Sequence, residues 1–133
     1  MLTIDIARKI IAAGEARAHG IGVPANIAVL DAGTSLKAFA RMDGVLLGSI
    51  DITLGKARTA ALFGKRTEAI GEFCKPGGTS PGLEQTNGGL VVFARGLPLI
   101  DAGGSLIGAV GVSGGAVAQD LDIAEAAVAA LGN

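Results

Sequence analysis

The strongest restriction on the fold comes from strand-like segments that are separated by very short turns. Ala25–Asp31 and Leu36–Met42 have the composition of strands, and the turn Asp31-Ala32-Gly33-Thr34 joins them into a β-hairpin. Three more strand-like segments follow later, and turns at Arg95-Gly96 and Ala102-Gly103-Gly104 would join them into a meander. These three segments are Leu90–Ala94, Leu97–Asp101 and Ser105–Val112. Strands connected in this way favour an antiparallel sheet, so the sequence predicts five antiparallel strands.

Apolar residues at helical spacing predict three helices that precede, separate and follow these strands. The predicted helices are Thr3–His19, Leu47–Phe63 and Val117–Leu131. Thr3 is suited to cap the first helix, and Gly20 and Gly22 are suited to stop it. Gly64 is suited to end the second helix, and Thr67–Phe73 adds a short helical turn. The predicted class is α+β, with helices packed against the sheet in the order α-ββ-α-βββ-α.

Length, charge and aromatic content narrow the class of protein. A chain of 133 residues corresponds to one domain, here residues 1–133. No apolar run approaches the roughly 18 residues that span a bilayer, and charged residues interrupt the start, so we expect a cytoplasmic protein without a membrane partner. A net charge of −1, four phenylalanines and no tyrosine or tryptophan argue against a nucleic-acid partner.

The number of cysteines and the abundance of small residues lead to two further predictions. Cys74 is the only cysteine, which excludes an internal disulfide bond and a cysteine-based metal cluster. Glycine and alanine are abundant and half of the residues are apolar, so we predict that part of the apolar surface lies in a homo-oligomer interface. We expect no internal repeat.

The glycine-rich loop, Lys75–Gly89, differs from the rest of the chain. It contains five glycines and two prolines and has no hydrophobic periodicity. Loops of this length in a small domain are usually functional or mobile. The sequence leaves two roles open for it, namely a lid over a ligand and a contact across a subunit boundary.

Five short motifs, in this order along the chain, resemble the GlcG/HbpS family, also described as the haem-degrading domain. The motifs are Ala28–Gly33, Arg41-Met42-Asp43-Gly44, Lys56–Ala60, Gly108–Gly115 and Gln119-Asp120. The resemblance implies a five-stranded antiparallel sheet with helices on its faces, and homo-oligomers that are often octamers. It also implies haem binding in some members, with links to haem breakdown or sensing, and a relative fused to PduO-type corrinoid adenosyltransferases. Other members sit in catabolic operons with no assigned chemistry.

His19, the only histidine, is the first candidate site residue. The resemblance implies that a histidine on the first helix is the axial ligand of haem iron, and His19 falls in that region; imidazole suits this role. The alternative is a helix-end histidine whose positive charge the helix dipole favours.

The turn Ser113-Gly114-Gly115 is the second candidate, since successive N–H groups before a helix form a nest for a haem propionate or a substrate carboxylate. The alternative is a turn that needs glycine conformations. The segment also fits Gly-x-Ser-x-Gly, but no histidine follows Ser113, which argues against a hydrolase.

Charged residues within the motifs are the remaining candidates. Arg41, Asp43 and Lys56 would form a polar pocket wall that orients an acidic ligand, or else the pairs Arg41–Asp43 and Asp51–Lys56 would be surface ion pairs. Glu68 and Glu72 stand one helical turn apart, which favours a solvated face over a metal site.

Two principal functions follow from these candidates. The first is a homo-oligomeric haem-binding protein, with haem degradation or haem and redox sensing as the activities that the resemblance adds. Its site would use His19, the Ser113–Gly115 turn and Arg41. The second is an isomerase-like or hydratase-like enzyme of a catabolic operon that acts on a small carboxylate without haem. Its catalytic residues would be Lys56, Arg41 and Asp43, with His19 as general base. A subunit that only assembles is the third alternative.

Overall fold

The antiparallel sheet predicted from the short turns is present, and the class is α+β as expected. The computed structural model describes residues 1–132, and Asn133 lies outside the described residues. The helices are α1 Ile4–Ile21, α2 Ser49–Phe63, α3 Thr67–Cys74 and α4 Val117–Ala129, with a short 3₁₀ helix at Leu83–Gln85. The strands are β1 Asn26–Asp31, β2 Leu36–Arg41, β3 Gly96–Ile100 and β4 Leu106–Ser113.

The described sheet has four strands in the order β2-β1-β4-β3, and each neighbouring pair is antiparallel. The prediction of five strands in the order α-ββ-α-βββ-α is therefore wrong. Leu90–Ala94, predicted as a strand, is irregular, and α3 precedes it as a separate helix. The order is α-ββ-αα-ββ-α.

The packing of α2 and α3 explains why Leu90–Ala94 does not join the sheet. Val91 fills the space beside Gly55 of α2, and the carbonyl group of Val92 lies against Gly71 of α3. The ring of Phe93 lies over the ammonium group of Lys56. The apolar side chains of this segment are therefore used to pack against helices, and its backbone never reaches a ladder partner.

The sheet separates two apolar layers because successive residues of a strand face opposite sides. Ile27 and Val29 of β1 pack with α1 and α4 in the larger core. Ala28 and Leu30 face the other side and pack with Ala57 of α2. Fully burying a side chain such as Ile27 contributes about 1.5–3 kcal/mol, so the α1–α4 layer carries most of the hydrophobic stabilisation. No helix within residues 1–132 is long and apolar enough to cross a membrane.

The two hairpins carry the same turn, which corrects the expectation of no internal repeat. In the first turn the Oδ1 atom of Asp31 accepts hydrogen bonds from the N–H groups of Gly33 and Ser35, at 2.9 and 3.0 Å. Asp101 accepts the two corresponding bonds in the second turn, at 3.0 and 2.9 Å. A register shift precedes the turn in both hairpins. The repeat was missed because it is confined to the six residues Asp-Ala-Gly-x-Ser-Leu.

Helix ends follow the predicted signals. Thr3 caps α1 by accepting a hydrogen bond from the N–H group of Ile6. The helix continues through Gly20 and ends at Gly22, which has a positive φ of 69°. Gly64 ends α2 in the same way, with φ of 62°. These ends place His19 in the last turn of α1.

An exposed ion pair joins α1 to α4 and gives a prediction about pH. Arg17 donates two hydrogen bonds to Asp122, at 2.8 and 2.9 Å, and they lower the pKa of that carboxyl group. A lowered folded-state pKa contributes stability above the unfolded pKa of about 3.9 and loses it as the pH falls through the folded value. We expect Asp122→Asn to have a slightly lower melting temperature than the wild type at neutral pH. The difference between the two melting temperatures should shrink as the pH falls below about 3.9, and a difference that stays constant there would contradict the assignment.

Candidate functional site

A cleft of about 490 Å³ opens between the C-terminal half of α1 and the end of β2. Its lining contains three of the predicted site residues, namely His19, Arg41 and Asp43. The other lining residues are Glu15, Ala18, Gly22, Val23, Pro24 and Met42. The structure therefore brings together side chains that are more than 20 positions apart in the sequence.

The end of α1 fixes the shape of this cleft. The N–H group of Gly22 donates to the carbonyl oxygen of His19, and that of Val23 donates to Ala18. These bonds turn the chain back under the last helical turn. The N–H group of Met42 donates to the carbonyl oxygen of Ala25, so β2 ends beside the same segment. Both walls of the cleft are thus tied to one short stretch of backbone.

Charge and polarity in the cleft are mixed. Arg41 is the cationic side chain of the lining, whereas Glu15 and Asp43 are acidic. His19 is exposed, and its ring is open to a ligand from solution. Within residues 1–132, no group of three or more histidine, cysteine, aspartate or glutamate residues could hold a metal ion.

Lys56 lies outside this cleft and is buried. Its Nζ atom donates to the carbonyl oxygen of Val112 at 2.8 Å and lies 3.7 Å from a carboxylate oxygen of Asp120. The ring of Phe93 covers it, with the ring centroid 5.4 Å from Nζ. Its side chain is only 2% exposed, so the alternative of an Asp51–Lys56 surface pair is wrong.

Burial shifts both members of the Lys56–Asp120 pair towards neutrality. Desolvation lowers the pKa of Lys56, and the charge of Asp120 opposes that shift. Desolvation also raises the pKa of Asp120, and the hydrogen bond from Gly115 and the charge of Lys56 oppose it. The pair links α2 to α4, which pack on opposite faces of the sheet.

In the Ser113-Gly114-Gly115 turn and at the residue after it, two N–H groups are bound within the chain. The N–H group of Gly115 donates to Asp120 at 2.9 Å, and that of Ala116 donates to Gln119 at 2.8 Å. The turn packs closely against the cleft wall, since a Cβ atom on Gly114 would overlap the carbonyl oxygen of Pro24. Ser113 is buried, and its hydroxyl group has no hydrogen-bond partner among the described residues. The turn therefore supports the wall of the cleft from behind.

Other acidic candidates form ion pairs. Glu68 lies 2.9 Å from Arg95, and Glu72 pairs with Lys75. Cys74 donates weakly to carbonyl groups of its own helix, and a hydrogen bond with Glu84 raises the pKa of its thiol group.

Sequence reasoning missed the role of two buried polar residues. Asp120 was noted only as part of a motif, although an acidic residue in the first turn of a helix is placed to accept hydrogen bonds from the backbone before it, as Asp120 does from Gly115. Asn26 is fully buried at the start of β1 and donates to the hydroxyl group of Ser49 at 2.7 Å. No pattern in the sequence marks Asn26 as buried.

Comparison with known proteins identifies the family. A family model described as haem degrading protein HbpS-like matches residues 2–129. An uncharacterized 15.0 kDa protein in the dhaT-dhaS intergenic region of Citrobacter freundii is 42% identical over 128 residues, which cover 96% of this chain and 89% of that protein.

Solved structures agree with the family model. The crystal structure of Klebsiella pneumoniae protein ORFY has a TM-score of 0.93 at 37% identity and covers 98% of this chain and 90% of its own. The structure of a PduOC:haem complex has a TM-score of 0.91 at 35% identity, covering 97% and 94% of the two chains. The resemblance seen in the five motifs is thereby confirmed, and the chain belongs to the HbpS-like family.

Proposed function

We propose that this protein binds haem in the cleft at the end of α1, with His19 as axial ligand of the iron. The observation that carries the proposal is the position of the only histidine of the chain, which lines this cleft together with Arg41. A neutral imidazole is a common axial ligand of haem iron. No other described residue of the lining is a nitrogen ligand of this kind.

The lining fits the chemistry of haem in three respects. Ala18, Val23, Pro24 and Met42 provide apolar surface for the macrocycle. Arg41 offers a guanidinium group, which suits a propionate because the two groups can form two parallel hydrogen bonds. A volume of about 490 Å³ is within the range of small-molecule sites. The acidic side chains of Glu15 and Asp43 would orient the propionates towards Arg41 by repulsion.

Relatives support the same ligand. A similar structure was solved as a PduOC:haem complex, and the family model describes a haem degrading protein. Bound haem would supply redox and oxygen chemistry, whereas this chain would bind and orient it. Homo-oligomer formation, including an octamer, and a cytoplasmic location remain predictions.

The small-carboxylate enzyme predicted as the second function finds less support. Arg41 and Asp43 line the cleft, but Lys56 points away from it, with its ammonium group on Val112 and Asp120. The three residues proposed as its catalytic set therefore do not share one pocket in the described structure.

A haemin titration followed by absorption spectroscopy tests the proposal. We expect a saturable Soret shift for the wild type, and for His19→Ala a different Soret position with at least about tenfold weaker binding, because the iron loses its imidazole ligand. Arg41→Gln should keep the wild-type Soret position and weaken binding by a smaller factor. Arg17→Gln, which alters an exposed residue on the same helix outside the lining, is the matched control and should behave as the wild type.

The outcomes separate haem binding from His19 ligation. A wild-type Soret position and affinity in His19→Ala would overturn the assignment of the ligand and leave haem binding in place. The absence of any saturable shift in the wild type would overturn the proposed function.

A further inference from the structure

A second cleft, of about 420 Å³, lies on the α2 side of the sheet. It opens between α2, the end of the first hairpin and the residues that close the glycine-rich loop. Leu36, Leu54 and Val91 supply apolar walls, and Asp51 and Arg58 of α2 are its charged lining residues. None of these residues belongs to the proposed haem cleft.

The glycine-rich loop forms one wall of this second cleft. Gly88 and Gly89 line it, and both have positive φ values, 75° and 104°. Hydrogen bonds hold the segment in place, since the N–H group of Gly89 donates to Thr86 and that of Leu90 donates to Glu84. Val91 packs closely on Gly55, and a Cβ atom added to Gly55 would overlap the side chain of Val91. Hydrogen bonds and close packing therefore hold this wall of the second cleft in a defined position.

Arg58 is the cationic residue of the second cleft and determines which ligands suit it. It is partly buried, and among residues 1–132 it has no ion-pair partner, unlike Arg17, Arg66 and Arg95. A partly buried guanidinium beside apolar walls favours a carboxylate, which it can hold with two charge-assisted hydrogen bonds. Asp51 lies seven residues earlier on α2, or about 10 Å along the helix axis. The cleft therefore has a cationic end, an apolar middle and an anionic end.

We propose that this second cleft binds a small monocarboxylate with a short apolar chain. The carboxylate would pair with Arg58, and the chain would lie against Leu54, Leu36 and Val91. A second carboxylate at the far end of the ligand would meet Asp51, whose like charge disfavours it. The site thus selects monocarboxylates over dicarboxylates of the same length. This inference is independent of haem binding.

Titration with three probes of equal chain length tests the proposal by two-dimensional NMR of the amide groups. Hexanoate should bind saturably in the millimolar range or tighter and shift the amide signals of Gly88, Gly89 and Val91. Arg58→Gln should raise the Kd at least about tenfold, since the bonds lost are charge-assisted. Hexanamide, which lacks the charge, should bind the wild type as weakly as hexanoate binds that variant.

Adipate and three further variants extend the test. Adipate should bind more weakly than hexanoate, and Asp51→Asn should remove that difference. Arg66→Gln, at an exposed arginine outside the lining, and His19→Ala should leave hexanoate binding unchanged. The proposal is overturned by non-saturable hexanoate shifts, by equal binding of hexanamide, or by an unchanged Kd in Arg58→Gln. None of these results bears on haem binding, so the two proposals fail separately.

Discussion

Replacement of Lys56 with methionine is expected to lower the free energy of unfolding by about 3–5 kcal/mol, because it leaves the carboxylate of Asp120 buried without its partner. Asp120 is 4% exposed and keeps only the hydrogen bond from Gly115 in the variant. Methionine nearly matches the volume of lysine, so the loss reports on charge rather than on a cavity. The carbonyl group of Val112 also loses its side-chain donor.

A double-mutant cycle separates the pair from its surroundings. Lys56→Met combined with Asp120→Asn should recover a large part of the loss, because neutral groups cost less to bury than one unpaired charge. Urea unfolding followed by far-ultraviolet circular dichroism is the suitable measurement, since the chain has no tryptophan or tyrosine. Arg17→Met, which breaks an exposed ion pair, is the matched control and should cost far less. A loss as small as that of Arg17→Met would contradict the buried pair.

The pH dependence of Lys56→Met adds an independent readout. Burial already raises the pKa of Asp120, and removal of the ammonium group should raise it further. A carboxyl group with a raised folded-state pKa binds more protons in the folded state, so its cost to stability is present above that pKa and is relieved as the pH falls through it. We therefore expect the variant to regain stability relative to the wild type as the pH is lowered from 7 towards the unfolded pKa of about 3.9. A constant difference across that range would argue against an unpaired carboxylate.

Local signals in the sequence predicted much of the backbone. The cap at Thr3 and the positive-φ glycines Gly22 and Gly64 fix the ends of α1 and α2, and these signals act over a few residues only. The turns after Asp31 and Asp101 fix the two hairpins for the same reason. Such features depend on bonds between neighbours in the sequence, so they can be identified without knowledge of the tertiary structure.

The prediction of a fifth strand was wrong because strand propensity reflects how well a side chain fits a half-buried sheet surface, and not a preference of the backbone itself. Leu90–Ala94 has the composition of a strand and would have paired with the outer edge of β3, but Val91 and Val92 pack against α2 and α3 instead. At the start of β3 the N–H group of Gly96 donates to the hydroxyl group of Thr67 in α3. The chain therefore approaches the sheet along a helix, which no local pattern reveals.

The buried face of α2 was predicted only in part. The helical spacing of Leu47, Ile50, Leu54, Ala57 and Ala61 predicts the stripe that faces the core, and Ala57 and Ala61 are indeed buried, whereas Leu47 precedes the helix and is 73% exposed. The face that meets the sheet also carries the polar residues Thr53, Lys56 and Thr59, which the stripe does not include. Small residues fit on this face because α2 lies very close to the strands. The distance between α2 and the sheet depends on the tertiary structure, so it cannot be read from the sequence of the helix.

The candidate site was predicted in part. His19, Arg41 and Asp43 were singled out from the sequence and lie together in one cleft. Lys56 was singled out as well, but its spacing on α2 beside Thr53 and Ala57 places it on the buried face. Its partner Asp120 is more than 60 positions away, so the pair could not be predicted from separation along the chain.

The close contact between α2 and the sheet leads to the second large effect, that of Gly111→Ala. Gly111 lies in β4 directly beneath α2, and an added Cβ atom would overlap the carbonyl oxygen of Thr53 and approach the backbone nitrogen of Ala57 to 2.8 Å. Because these are backbone atoms of a helix, they cannot turn aside as a side chain can. Overpacking of this kind costs about 1–3 kcal/mol and sometimes more, so we expect a loss at the upper end of that range.

Gly20→Ala is the matched control for this variant. Gly20 lies within α1, and an added Cβ atom there would meet no atom within 4 Å. Alanine is the better helix former by roughly 0.5–1 kcal/mol, so the control should be as stable as the wild type or more stable. Urea unfolding measures both variants. A Gly111→Ala protein as stable as Gly20→Ala would mean that α2 can move away from the sheet at little cost, and the close packing that buries Lys56 would then not be fixed by the glycines of the strands.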